Sequence, residues 1–199
     1  MKNILIFGNS RTGKTSLAKR IKDEFGLNVV NEDHLIMAFE RAFPHMEING
    51  YKNYMQTAVN VTPFMAHYFC ELAQHAKQKT GTAFVVDGTF FVFDTGIPLM
   101  KETLQKMNGM ELTEEFLFIC LDNDKTSEEL FNDVRKYDTP EDWTYVLTDD
   151  ELRKHCDENV GTNWKFYETW KELECWRYDV AEGREQIFNR IVEDLRKII

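Results

Sequence analysis

The stretch Gly8-Asn9-Ser10-Arg11-Thr12-Gly13-Lys14-Thr15 matches G-x-x-x-x-G-K-[ST] at every fixed position. It follows a short apolar run, 3–7, that reads as a strand buried on both faces. It precedes a helical pattern with Leu17, Ile21 and Phe25 at i, i+4 and i+8. A phosphate-binding loop needs this context, because the glycines let backbone N–H groups curl round phosphate oxygens while the positive end of the helix dipole faces the same anion. Lys14 is placed to reach the β- and γ-phosphates of a nucleotide, and the Thr15 hydroxyl to bind the magnesium ion that bridges them. A Gly-rich turn that matches by accident is the plain alternative, expected in roughly one chain in a hundred from average residue usage.

Outward from the loop, strand and helix signals alternate. Gly26 is a helix stop, and 27–30 reads as a second strand. Asp33 is placed to cap a helix through Ile36, Met37 and Phe39, and Thr62-Pro63 reads as the N-cap and first-turn proline of another, with Met65, Phe69, Leu72 and Ala76 as its stripe and Gly81 as its end. A third strand, 83–86, ends in Asp87-Gly88; a helix spans about 98–107; a fourth strand, 116–121, ends in Asp122. Thr126-x-x-Glu129 is a capping box for a helix towards Lys136. The polar stretch 137–150, with Pro140, reads as mobile; 175–179 is a weaker fifth strand, and 184–199 a closing helix with Ile187, Ile191, Leu195 and Ile198 on one face. No repeat, low-complexity tract or linker interrupts this, so the expectation is one α/β domain over 1–199 with a parallel sheet.

Composition excludes other classes. Among 199 residues, 34 Asp and Glu against 24 Lys and Arg leave a net charge of −10, so no nucleic-acid backbone and no anionic membrane is expected as partner. The N-terminal apolar run is too short for a signal peptide, and the longest clean apolar run, 116–121, is far below a membrane span. Cys70, Cys120, Cys156 and Cys175 are scattered without zinc spacing, as expected of reduced thiols in a cytoplasmic protein. Nothing in the sequence speaks to oligomeric state.

Taken together, GNSRTGKT after strand one, the acidic NEDH after strand two, VVDGT ending strand three, a helix carrying Arg135 after strand four and the WRYDVAEGR turn resemble the adenylate-kinase-like group of P-loop small-molecule kinases. That group includes nucleoside monophosphate kinases, shikimate kinase, gluconate kinase and chloramphenicol phosphotransferase, and the resemblance covers nearly the whole chain. It implies a three-layer P-loop NTPase fold with five parallel strands in the order 2-3-1-4-5, a helical lid at about 131–150 with arginines over the triphosphate, and an acceptor region at about 33–76. It also implies ATP as co-substrate and an adenine site bordered by the strand-five turn.

The candidate site residues carry plain readings beside functional ones. Nucleotide binding falls to 8–16: Gly8, Asn9, Ser10, Arg11, Thr12, Gly13, Lys14, Thr15 and Ser16; Arg11 either contacts phosphate or points to solvent. Asp87, ending an apolar strand, is a magnesium or acceptor ligand beside Thr15, or a turn residue before Gly88; Asp122 and Asp124 compete for that role. Asp33 is the base for an acceptor hydroxyl, or simply a helix cap. Its neighbours Glu32 and His34 lie where the acceptor pocket of the group begins. Arg135 is the lid arginine that stabilises the transferring phosphoryl group, or a solvated charge at a helix end. The aromatics Phe43, Tyr51, Tyr54, Phe64 and Tyr68 line an acceptor pocket or belong to the core, and Trp164, Trp170 and Trp176 read first as packing.

The leading expectation is an ATP- and magnesium-dependent kinase of a small molecule. Between 27 and 76 the basic residues are Arg41 and Lys52, against Glu32, Asp33, Glu40, Glu47 and Glu71. Such a segment repels an anionic acceptor, which favours an uncharged hydroxyl compound, a nucleoside, sugar or antibiotic-like alcohol, over a nucleoside monophosphate. A P-loop ATPase with a switch role is the alternative of another class; no guanine-type NKxD signature is present, and Asp122-Asn123-Asp124-Lys125 has the wrong order.

Overall fold

The computed structural model describes residues 1–9, 11–46, 48, 54–88, 95–123, 125–140, 143–159, 173 and 175–199, without the side chains of 54–58, 108, 143 and 159. Five strands, β1 (Asn3–Gly8), β2 (Asn28–Asn31), β3 (Phe84–Asp87), β4 (Phe116–Asp122) and β5 (Trp176–Asp179), form one parallel sheet. Its order is β2-β3-β1-β4-β5, as the resemblance implies. Ile6 stands opposite Asp87 and Gly8 opposite Leu121, so β1 is central and its C-terminal end lies between those of β3 and β4. Parallel neighbours need long crossovers, and helices supply them. They are α1 (Lys14–Phe25), α2 (Glu32–Ala42), α3 (Tyr54–His75), α4 (Gly96–Asn108), α5 (Leu112–Glu115), α6 (Ser127–Tyr137), α7 (Asp149–Asn159) and α8 (Arg184–Leu195).

Because side chains alternate across a strand, β1 feeds two cores. Leu5 and Phe7 join Val86 and Phe118 against Met65 and Phe69 of α3 and Met100 and Leu104 of α4. Ile4 and Ile6 face the other way, joining Val85 and Ile119 against Leu17 and Ile21 of α1 and Phe188 and Ile191 of α8. Each such side chain contributes about 1.5–3 kcal/mol when fully buried, so helices are held on both faces and three layers result. A third, smaller core joins Leu130, Phe131 and Val134 of α6 to Leu152 and Cys156 of α7. This hairpin lies where the lid is expected.

Several local expectations are corrected. Pro63 lies inside α3 rather than at its start. Val59, whose carbonyl loses its usual donor to that proline, is 64% exposed, so water can serve it. The cap of α2 is Asn31, whose side chain accepts from His34 N at 3.0 Å, and Asp33 is instead the second helical residue. The stretch 137–150 is not wholly irregular: Trp143–Val146 is a 3-10 turn and α7 opens at Asp149. The last helix stops at Leu195, short of 199. The capping box at Thr126 and Glu129 forms as read.

All four cysteines are free, and burial pushes the Cys70 thiol up to about 12 and that of Cys156 to about 11, so neither is readily ionised. Among the described residues no helix is long and apolar enough to cross a membrane.

Candidate active site

The C-terminal ends of the strands bring the candidate residues together, as crevices in open α/β sheets do. Gly8 ends β1 with φ 149°, and a Cβ there would run into the carbonyl oxygen of Leu121 on the neighbouring strand. Only glycine lets β1 turn into the loop while staying paired to β4. Within the loop, Thr12 Oγ1 donates to Asn9 O at 2.9 Å, and Asn9 Nδ2 reaches Asn123 Oδ1 at 3.5 Å. Arg184 Nη2 donates to Arg11 O at 2.7 Å, which ties the loop to the start of α8. Ser10 lies outside the described residues, as do Asp124, Tyr51, Trp164 and Trp170. Thr15 and Ser16, in the first turn of α1, are exposed.

Lys14 is the first residue of α1. Its Nζ donates to Gly8 O at 2.9 Å and Asn9 O at 3.0 Å, which holds the ammonium over the loop with one N–H to spare. Burial lowers its pKa, while the carboxylates of Asp87, Asp33 and Glu32, in that order, oppose the shift. An ammonium is thus set among three acids from two strand ends. Asp87, 4% exposed, accepts from Asn31 Nδ2 at 3.0 Å through Oδ2. Asp33 is open to solvent at the first turn of α2, yet the protein around its carboxyl pushes its pKa up, Lys14 pulling it down and Asp87 adding to the rise.

Glu32 is the residue that the sequence undervalues. It is fully buried, and Gly88 lies against it so closely that a Cβ on Gly88 would sit 2.5 Å from the Glu32 Cβ. The signal was the glycine directly after the β3 aspartate, which turn chemistry alone also explains. His34 is an exposed first-turn residue of α2.

Arg135 is not brought to this group. Its guanidinium donates to Leu147 O at 2.7 Å, Thr144 O at 3.3 Å and Asp149 Oδ1 at 3.0 Å, which staples α6 to the 3-10 turn and to α7. Among the described residues it approaches the loop through Asp138, 3.7 Å from Arg135 Nη1 and paired on its other oxygen with Arg11. Phe64 and Tyr68 stack with centroids 5.7 Å apart, and Phe39 meets Phe64 edge-on at 4.2 Å, so these aromatics first serve each other.

Among the described residues no cluster of three acidic, His or Cys side chains could hold a metal alone. Asp87, with one oxygen held by Asn31, and the exposed Thr15 hydroxyl are instead groups of the kind that take magnesium carried in on a nucleotide, since that ion typically binds one or two carboxylates plus phosphate oxygens.

No protein-family model matches the sequence, and no curated protein matches it. Solved structures do. A deoxyadenosine kinase from M. mycoides with products dCMP and a flexible dCDP bound is 16% identical with a TM-score of 0.56, over 99% of this chain and 100% of that one. A sugar kinase from Janibacter sp. HTCC2649 is 15% identical at 0.58, over 98% and 95%. A gluconokinase from Sinorhizobium meliloti 1021 is 13% identical at 0.52, again over 98% and 95%. At these identities the likeness is one of fold. The fold of this chain is that of the P-loop small-molecule kinases.

Proposed function

We propose that the protein is an ATP- and magnesium-dependent kinase that transfers the γ-phosphoryl group to a small molecule bearing a free hydroxyl. The observation that carries the reading is the phosphate loop with Lys14 set among Asp87, Asp33 and Glu32 at the strand ends. The neighbouring folds support it, being named for sugar, gluconate and deoxyadenosine kinases.

In this reading the loop amides and Lys14 bind the β- and γ-phosphates, and Thr15 and Asp87 hold magnesium, which neutralises charge on the phosphates. Asp33, the acid most open to solvent, accepts the proton of the acceptor hydroxyl. That oxygen then bonds to the γ-phosphorus as the bond to the β–γ bridging oxygen breaks and ADP leaves. Glu32, fully buried, sets a carboxylate near Lys14 that favours its charged form, without access to an acceptor. The hydrogen bonds of Arg135 favour a hairpin staple over direct contact with phosphate.

An uncharged acceptor agrees with the acidic character of α2 and its surroundings, where Arg41 is exposed and Glu32 and Asp33 face the loop. A screen with γ-labelled ATP over nucleosides, nucleoside monophosphates, sugars and aminoglycosides tests the reading. Label is expected in a hydroxyl acceptor without phosphate. Hydrolysis that no acceptor accelerates would support a switch ATPase instead, and preferred labelling of a monophosphate would make the chain a nucleoside monophosphate kinase.

A further inference from the structure

Among the described residues Arg11 is the one non-glycine with positive φ, at 64°. A left-handed residue is what an anion-binding loop uses to aim successive N–H groups at one centre, and glycine is the usual choice because a Cβ resists that backbone. Here a residue with a long side chain takes the position, held from both ends. Its carbonyl accepts from Arg184, and its guanidinium pairs with Asp138 and donates to Thr144 Oγ1 at 3.0 Å.

The receiving end is built rather than incidental. Asp138 is the C-cap of α6 and its side chain is 3% exposed, while Thr144 is 2% exposed. Thr144 donates to Asp138 while accepting from Arg11, so three side chains from the loop, the end of α6 and the 3-10 turn close on one another. Arg135 approaches the second Asp138 oxygen from the hairpin side. A charged pair that is shielded from water and hydrogen-bonded on both partners holds geometry far better than an exposed one.

We propose that Asp138, with Thr144, is a positioning residue for nucleotide binding: it seats the Arg11 side chain at the base of the α6–α7 hairpin and thereby holds the phosphate loop in its anion-binding shape. The inference rests on reading 8–16 as a phosphate loop. It assigns Asp138 no contact with nucleotide, and it makes the hairpin base part of the loop's support. The opposite role, in which Asp138 withholds Arg11 from phosphate, predicts the opposite sign.

The test is the affinity of the full chain for a non-hydrolysable ATP analogue with magnesium, measured by calorimetry, alongside melting of each variant. Asp138→Ala is expected to weaken binding about tenfold, the scale of releasing a strained backbone from its restraint. Adding Arg11→Gly should recover most of that loss, since glycine takes positive φ unaided, whereas adding Arg11→Ala should recover none. Thr144→Val, which keeps shape and removes the hydroxyl, should weaken binding about threefold, one hydrogen bond's worth. If Asp138→Ala lacks a cooperative melt, Thr144→Val and the order of the single Arg11 variants decide, with Arg11→Gly binding more tightly than Arg11→Ala. Unchanged or tighter binding by Asp138→Ala, or Arg11→Gly no better than Arg11→Ala in either background, would overturn the inference alone. A wild-type chain that did not bind the analogue would overturn the phosphate-loop reading and this inference with it.

Discussion

Asn31 Nδ2 donates to Asp87 Oδ2 at 3.0 Å, joining the last residue of β2 to the last residue of β3, 56 positions away. The same Asn31 side chain accepts from His34 N through Oδ1 and caps α2. One amide therefore orients the carboxylate assigned to magnesium and starts the helix that carries Asp33. Asn31→Asp should separate the two duties. Asp caps about as well as Asn, but it cannot donate to Asp87 and sets a like charge beside it. The expected outcome is a melting temperature nearer to wild type than that of Asn31→Ala, with kcat/KM for magnesium-ATP reduced about tenfold, one pK unit's worth of misplaced charge. Wild-type kcat/KM in Asn31→Asp would release Asp87 from its assigned role.

Lys14→Ala should abolish phosphoryl transfer while the fold persists. The ammonium bonds the carbonyls of Gly8, the last residue of β1, and of Asn9, and its side chain belongs to neither large core, so its loss leaves both cores untouched. Losing one donor aimed at transition-state charge typically costs about 10²–10³ in kcat. Turnover at the wild-type rate, with the acceptor found in the screen, would remove the loop from the mechanism.

If Asp33 is the proposed base, it sets the pH dependence. The protein around its carboxyl raises its pKa above 3.8, and only the carboxylate form can take a proton. As pH falls through the raised value, kcat/KM should fall with it, so the acidic limb is expected above the ordinary aspartate range. Asp33→Asn should flatten that limb and lower kcat by about 10²–10⁴, with a smaller change in KM for ATP. Since Asn31, not Asp33, caps α2, the helix should survive the substitution. Near-normal kcat in Asp33→Asn would sink the hydroxyl-kinase mechanism and favour an acceptor that already carries phosphate.

Gly88→Ala should do harm out of proportion to one methyl group. Its Cβ would press on the Glu32 side chain, which is fully buried and has no room to retreat. Overpacking of this kind costs about 1–3 kcal/mol. Glu32→Gly, which removes the opposing Cβ and carboxylate together, should return part of the melting temperature lost relative to its own single variant, and no such recovery would mean the two residues do not press on each other in solution.

The strand–loop–helix that carries the G-x-x-x-x-G-K-[ST] pattern and the alternation of buried strands with amphipathic helices were legible in the sequence, because both are local. The glycine spacing of 8–15 sits between a strand and a helix within one segment, and the period of apolar residues reports which faces are covered. Boundaries were less legible: Thr62-Pro63 has the chemistry of a helix start, yet α3 runs through it because burial along Met65, Phe69 and Ala73 outweighs a local breaker. What joins distant segments was left to the tertiary structure. No local signal tells Asp33 from Asn31 as the cap of α2, shows that Gly88 makes room for Glu32, or pairs Arg11 with Asp138 across 127 positions. Those relationships exist because a parallel sheet ordered β2-β3-β1-β4-β5 gathers strand ends that are far apart in the chain, and close packing there decides which side chains meet.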